Sequence, residues 1–172
     1  SCYERQVRAR CQGVSAELIV LQSRLERLGP AIQLLFAPNL LQSKYLADYA
    51  LVDGKLYLIS TEFSRAAAVH EYLHVAMGDK VEWLTRLIAR YGAAYFVNLD
   101  AVKRIGYETL EGAVEDCVVR ALSALLADQA DVMEYGARNT EMGFIAVPKL
   151  ITRLQEKRLA NMTLDDILLS LM

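Results

Sequence analysis

The chain contains only two histidines, His70 and His74, four residues apart, and a glutamate, Glu71, follows the first. On a helix, residues i and i+4 lie one turn apart on the same face, so the two imidazoles can aim a nitrogen each at one point. Such a pair supplies half of a tetrahedral zinc site. Glu71 sits beside that face, where a carboxylate can take a proton from water without occupying a coordination position. The chemistry this spacing points to is metal-assisted hydrolysis with Glu71 as general base.

The flanking sequence supplies the elements that must hold this helix. Tyr45 to Val52 and Lys55 to Ser60 are β-prone runs separated by Asp53-Gly54, which reads as a two-residue hairpin turn. Ser60 or Thr61 is placed to cap the following helix through its hydroxyl, and Gly78 to end it in a left-handed conformation. Along that helix Ala66, Val69, Leu73, Ala76 and Met77 form an apolar stripe that packs on the rest of the domain, with the histidines at its margin. Upstream, Val14, Leu18, Leu21, Leu25 and Leu28 mark an amphipathic helix that stops at Gly29-Pro30, and Ile32 to Phe36 reads as a strand. With the hairpin this gives a sheet of about three strands.

Beyond Gly78 the pattern is almost wholly helical: Val81 to Tyr91, Leu99 to Ile105, Thr109 to Leu126, Ala130 to Tyr135 and Val147 to Leu159. Thr163 and Asp166 open a last short helix. The whole is an α+β, mainly helical fold in one domain over residues 1–172, with a small N-terminal sheet and hairpin, the histidine helix, and a helical C-terminal half. A chain of 172 residues with 54% hydrophobic residues can bury a real core. No run of about eighteen apolar residues occurs, so no membrane span is expected. The net charge of −2 and the scattered Arg5, Arg8 and Arg10 give no basis for nucleic-acid binding. Cys2, Cys11 and Cys117 lack metal-knuckle spacing; Cys117 reads as a buried small side chain, and a Cys2–Cys11 bridge is open for an exported protein. The first residue is Ser1 instead of methionine, which points to upstream sequence, a tag remnant or a removed signal, so the start assigns no compartment.

Catalytic zinc normally takes three protein ligands and leaves a fourth position open. With no histidine left, a carboxylate must complete the set. The best candidates lie in Glu108-Thr109-Leu110-Glu111-Gly112-Ala113-Val114-Glu115-Asp116. Glu111 and Glu115 are one turn apart, so one can bind metal while the other supports a ligand histidine. The helix macrodipole by itself accounts for acidic residues in the first turn, Glu108 and Glu111; Glu115 and Asp116 lie deeper.

These motifs, His70-Glu71-x-x-His74 and Glu111-Gly112-Ala113-Val114-Glu115, resemble those of gluzincins, the zincin-like metallopeptidases with a His-Glu-x-x-His helix and a glutamate ligand on a later helix. The Gly143-Phe144-Ile145 segment is also similar to uncharacterised predicted zinc proteases. The resemblance implies a zincin-like fold and a zinc metallopeptidase that hydrolyses peptide bonds. It implies His70, His74 and Glu111 as Zn2+ ligands, with Glu115 the alternative to Glu111, and Glu71 as the catalytic base. It further implies that Lys55 to Ser60 is a sheet edge along which an extended peptide or protein substrate lies, and that a tyrosine, Tyr107 or Tyr135, stabilises the oxyanion, although packing alone can account for either. A zincin-fold binding or regulatory protein without turnover is the competing reading, and the intact Glu71 argues against it. A helical structural domain with a fortuitous motif is a third, separated from the others by zinc content.

Overall fold

The computed structural model describes residues 2–41, 47–78, 80–128, 130–157 and 159–172. Two helices, α1 (Cys2–Cys11) and α2 (Val14–Leu25), precede the strands β1 (Gln33–Pro38), β2 (Ala47–Val52) and β3 (Lys55–Ser60). The histidine helix α3 (Arg65–Met77) follows, then α4 (Val81–Tyr91), α5 (Ala93–Phe96), α6 (Leu99–Arg104), α7 (Leu110–Leu126), α8 (Val132–Glu141), α9 (Val147–Gln155) and α10 (Leu164–Leu171), with a 3-10 turn at Leu159–Asn161. The fold is thus α+β and mostly helical around a small sheet. The sequence pattern missed α1 and α5, whose short runs carry no apolar period long enough to stand out. Tyr45 and Leu46, expected in the hairpin, lie outside the described residues.

Asp53 (φ 50°) and Gly54 (φ 71°) both take the left-handed conformation that a two-residue hairpin turn of matching twist requires. The turn sets β2 antiparallel to β3, with Tyr49 opposite Leu58. β1 pairs parallel with the other side of β3, giving the order β1-β3-β2. β3 is therefore the central strand, not the edge expected of it. Its sequence carries the reason: Leu56 and Leu58 are buried on one face while Tyr57 and Ile59 on the other are half-buried, as befits a strand covered on both sides. The free edge beside the hairpin belongs to β2.

α3 starts later than expected. Ser60 is still the last residue of β3 and its hydroxyl donates to the Glu62 carbonyl, while the Thr61 hydroxyl donates to Asn39. Ser64 caps the helix instead, accepting from the Ala67 amide. Gly78 closes it at φ −53°, in the right-handed region, because the chain turns directly into α4 through Lys80, whose amide donates to the Met77 carbonyl.

α7 is the central helix. Ala113, Val114, Cys117, Val118, Ala121 and Leu122 are fully buried, and α3, α4, α5, α8 and α9 all pack against it. α3 packs along it and buries Val69, Leu73 and Ala76 in the core. α3 is tied to α2 by Tyr72, whose hydroxyl donates to the Leu25 carbonyl (2.9 Å) and lies 3.1 Å from that of Pro30. The Leu25 carbonyl, at the C-terminus of α2 where no intrahelical donor remains, also accepts from the Leu28 amide at 2.8 Å. Gly29 lets the chain pass here: a Cβ on it would stand 3.0 Å from Ala76 Cβ and 3.1 Å from the Tyr72 hydroxyl. Cys11 and Cys117 are free thiols, and Cys117 is buried as its pattern suggested.

Candidate metal centre

α3 and α7 lie side by side, and the histidines of one meet the acidic stretch of the other. His70 Nε2 and His74 Nε2 are 3.1 Å apart. Asp116 Oδ1 is 3.1 Å from the first and 3.3 Å from the second. Three ligand atoms from three side chains therefore form a nearly equilateral triangle. Ligand atoms about 2.0–2.1 Å from a tetrahedral zinc stand about 3.3 Å from one another, so the triangle has the size such an ion needs. Among the described residues this is the one group of three or more His, Cys, Asp or Glu side chains close enough to share an ion.

Asp116 supplies the observation that tests the fit. Its side chain is almost fully buried, and Oδ1 receives no hydrogen bond although two ring nitrogens lie beside it. A buried carboxylate oxygen without a donor is costly, and a cation placed among these three atoms removes that cost. The other oxygen, Oδ2, accepts from Arg120 Nε (2.5 Å) and from the Tyr107 hydroxyl. Asp116 thus presents one committed oxygen and one open one.

His74 is oriented from behind. Its Nδ1 lies 3.1 Å from Glu115 Oε1 and donates to it, which turns Nε2 toward His70 and Asp116. Glu115 takes the supporting role expected for one of the two glutamates on this helix. Glu111 does not take the other. It is exposed in the first turn of α7, and the structure brings Asp116 to the histidines in its place. The two residues are five apart, about 140° around a helix of 3.6 residues per turn, so the rotation of α7 that buries Asp116 against α3 directs Glu111 to solvent. The sequence signal that singles out Asp116 is its arginine at i+4 inside an otherwise apolar helix, the mark of a buried pair rather than a solvated one.

Burial opposes a charged His74, but the nearby Asp116 charge and the hydrogen bond and charge of Glu115 outweigh it and raise its pKa to about 9. Burial likewise favours neutral Asp116, yet the two histidines and Arg120 keep its carboxyl well below the usual range. The metal-free site is therefore a carboxylate pair around an imidazolium, and a divalent cation can take the place of the imidazolium proton. Glu71, half-buried beside the histidines, is shifted upward by burial against the pull of His70 and His74. A carboxylate raised in this way is better matched to accepting a proton near neutral pH.

The tyrosines are placed differently from expectation. The Tyr107 hydroxyl is committed to Asp116 and its pKa is pushed up to about 12, first by burial and then by that carboxylate, so it is engaged with Asp116 instead of open to a substrate oxyanion. Tyr135 lies on α8 and lines a cavity of about 580 Å³ with Arg120 and Asn139. Tyr49 on β2 went unnoticed in the sequence. Burial raises its pKa first, and the charges of Glu71, Glu115 and Asp48 add to the effect, which sets this exposed phenol at the acidic margin of the site. Its role depends on the β2–α3 packing, which no local pattern reveals. No helix is long and apolar enough to cross a membrane among the described residues. Searches against protein-family models, curated proteins and solved structures found no match to this chain.

Proposed function

We propose that the protein is a zinc-dependent metallopeptidase whose ion is held by His70, His74 and Asp116. The observation that carries this reading is the triangle of three ligand atoms with an orphaned buried oxygen at one corner, set beside a glutamate whose pKa is raised. Held by these three residues, a zinc ion would supply a Lewis acid for the scissile carbonyl and would lower the pKa of water toward about 7.

The protein side chains do the rest. His74 is fixed in the donor tautomer by Glu115, so that its Nε2 lone pair is the one presented. Glu71 takes the proton from the attacking water and delivers it to the leaving amine. The substrate strand is assigned to the outer edge of β2, since β3 is paired on both sides. Backbone groups on that edge can pair with an extended peptide, and Asp48 and Tyr49 on β2 are near enough to act electrostatically on Glu71.

Glu71→Gln keeps the shape of the side chain and removes its basicity. The expected result is wild-type zinc content with peptide hydrolysis reduced by about 10²- to 10⁴-fold, measured on a peptide library by mass spectrometry. Equal hydrolysis by the variant and the wild type removes Glu71 as the base. Zinc bound by a wild-type protein that cleaves no peptide supports a binding module instead.

A further inference from the structure

The metal-centre reading leaves unexplained why so much of the interior is organised around the half of Asp116 that faces away from the histidines. Oδ2 accepts from both Arg120 and Tyr107. Arg120 is itself held, with Nη1 donating to Asn139 Oδ1 at 2.9 Å, and Asn139, buried on α8, donates through its amide to the Tyr135 carbonyl. Both donors converge on one ring. The Arg120 guanidinium lies 4.2 Å over the centroid of Phe144, and Tyr107 meets the same ring edge-on at 5.3 Å and 83°.

Phe144 is placed by the turn before it. Gly143 has φ +108°, and a Cβ there would come within 2.8 Å of Ala101 Cβ. Its carbonyl accepts from the Asn98 amide at 2.7 Å, and the Phe144 amide donates to the Asn139 carbonyl at 2.9 Å. Only glycine fits that conformation and that approach. The fully buried ring then lies beneath the two side chains that grip Asp116.

We infer that Phe144, Arg120 and Tyr107 form a clamp that makes Asp116 a one-oxygen ligand. This inference rests on the assignment of His70, His74 and Asp116 as the metal centre. A carboxylate free to rotate can offer both oxygens to a cation and fill two coordination positions. Here Oδ2 already accepts from two donors, one of them charged, and turning it toward the histidines would strip Arg120 and Tyr107 of their acceptor at once. Only Oδ1 is available, so the protein supplies three ligand atoms and a fourth position stays open. Arg120, Tyr107 and Phe144 are positioning residues. None of them is a ligand.

The test uses the full chain loaded with Co2+ or Zn2+ and no substrate. Tyr107→Phe removes one hydroxyl, Arg120→Lys keeps the charge and loses the planar fork, and Arg138→Gln on the exposed side of α8 is the control. Four-coordinate Co2+ absorbs visible light much more strongly than six-coordinate Co2+. The clamp predicts a weaker visible band in both clamp variants, as Asp116 supplies a second oxygen, and zinc binding weakened by about 10-fold or more in chelator competition. The control keeps the wild-type band and affinity. A purely structural role lowers the melting temperature and leaves the Co2+ spectrum unchanged, and that result in both folded variants overturns the clamp while the metal centre stands. If Arg120→Lys does not fold, Tyr107→Phe decides alone. A folded wild type that takes up neither ion overturns the metal centre and the clamp with it.

Discussion

Asp116→Asn separates the metal site proposed from the His70, His74 and Asp116 triangle from the one the motif spacing suggests. The substitution keeps the side-chain shape and removes a full negative charge from between Arg120 and the two histidines. Removing one partner of a buried ion pair costs about 3–5 kcal/mol, because the charge left behind has nowhere to go. Arg120 is one-fifth exposed and keeps Asn139 and the Phe144 ring, which places the loss near the lower end, about 3 kcal/mol. For a chain of this size, at roughly 2–4 °C per kcal/mol, the melting temperature of the metal-free protein falls by about 6–12 °C. Zinc retention after desalting falls to a small fraction of the wild type, since one of three ligands has lost its charge. Glu111→Ala is the comparison: it removes only an exposed first-turn acid worth about 0.3–1 kcal/mol at the helix N-terminus, and zinc content stays at the wild-type level. Circular dichroism melts and elemental analysis read both quantities. Full zinc in Asp116→Asn together with loss in Glu111→Ala would refute the assignment of Asp116.

The motif helix was legible because everything in it is local. Two histidines at i and i+4 share a face in any α-helix, and the hairpin before it is fixed by Asp53-Gly54. The place of Asp116 beside the histidines was not, because it depends on how far α7 is rotated about its own axis against α3. Spacing within one chain segment says nothing about that angle, and Asp116 lies about 100° round the helix from Glu115 and about 140° from Glu111. The role of β3 failed for a related reason. Its edge position was taken from the family resemblance, and the pairing of β3 with β1 on one side and β2 on the other joins segments whose order in the sheet no local pattern gives. Phe144 was noticed only as part of a short motif, since its contact with Arg120 and Tyr107 joins residues far apart in the sequence.

Three more outcomes follow from the same geometry. Zinc binding at pH 7 should release about one proton from His74, because the metal-free imidazole is held protonated up to about pH 9, and calorimetry in buffers of different ionisation enthalpy measures this. The sign is set by a folded-state pKa raised from 6.5 to about 9: the stabilisation of the metal-free protein is complete below about pH 6.5 and disappears as pH rises through 9, whereas zinc affinity increases over the same interval. Glu115→Gln should weaken zinc binding by about 10-fold through loss of the charged acceptor on His74 Nδ1, and an unchanged affinity removes Glu115 from the centre. Tyr72→Phe should cost about 0.5–1.5 kcal/mol of stability by removing the hydroxyl that lies between the Leu25 and Pro30 carbonyls, the first of which keeps the Leu28 amide, with zinc stoichiometry unaffected.

Metal stoichiometry tests the central claim most directly: elemental analysis of wild-type protein and His70→Ala after equal exposure to zinc and desalting. The arrangement of His70, His74 and Asp116 predicts about one zinc per wild-type chain and little in the variant. A folded wild-type protein that retains no zinc contradicts it and leaves the helix with a histidine pair that binds nothing.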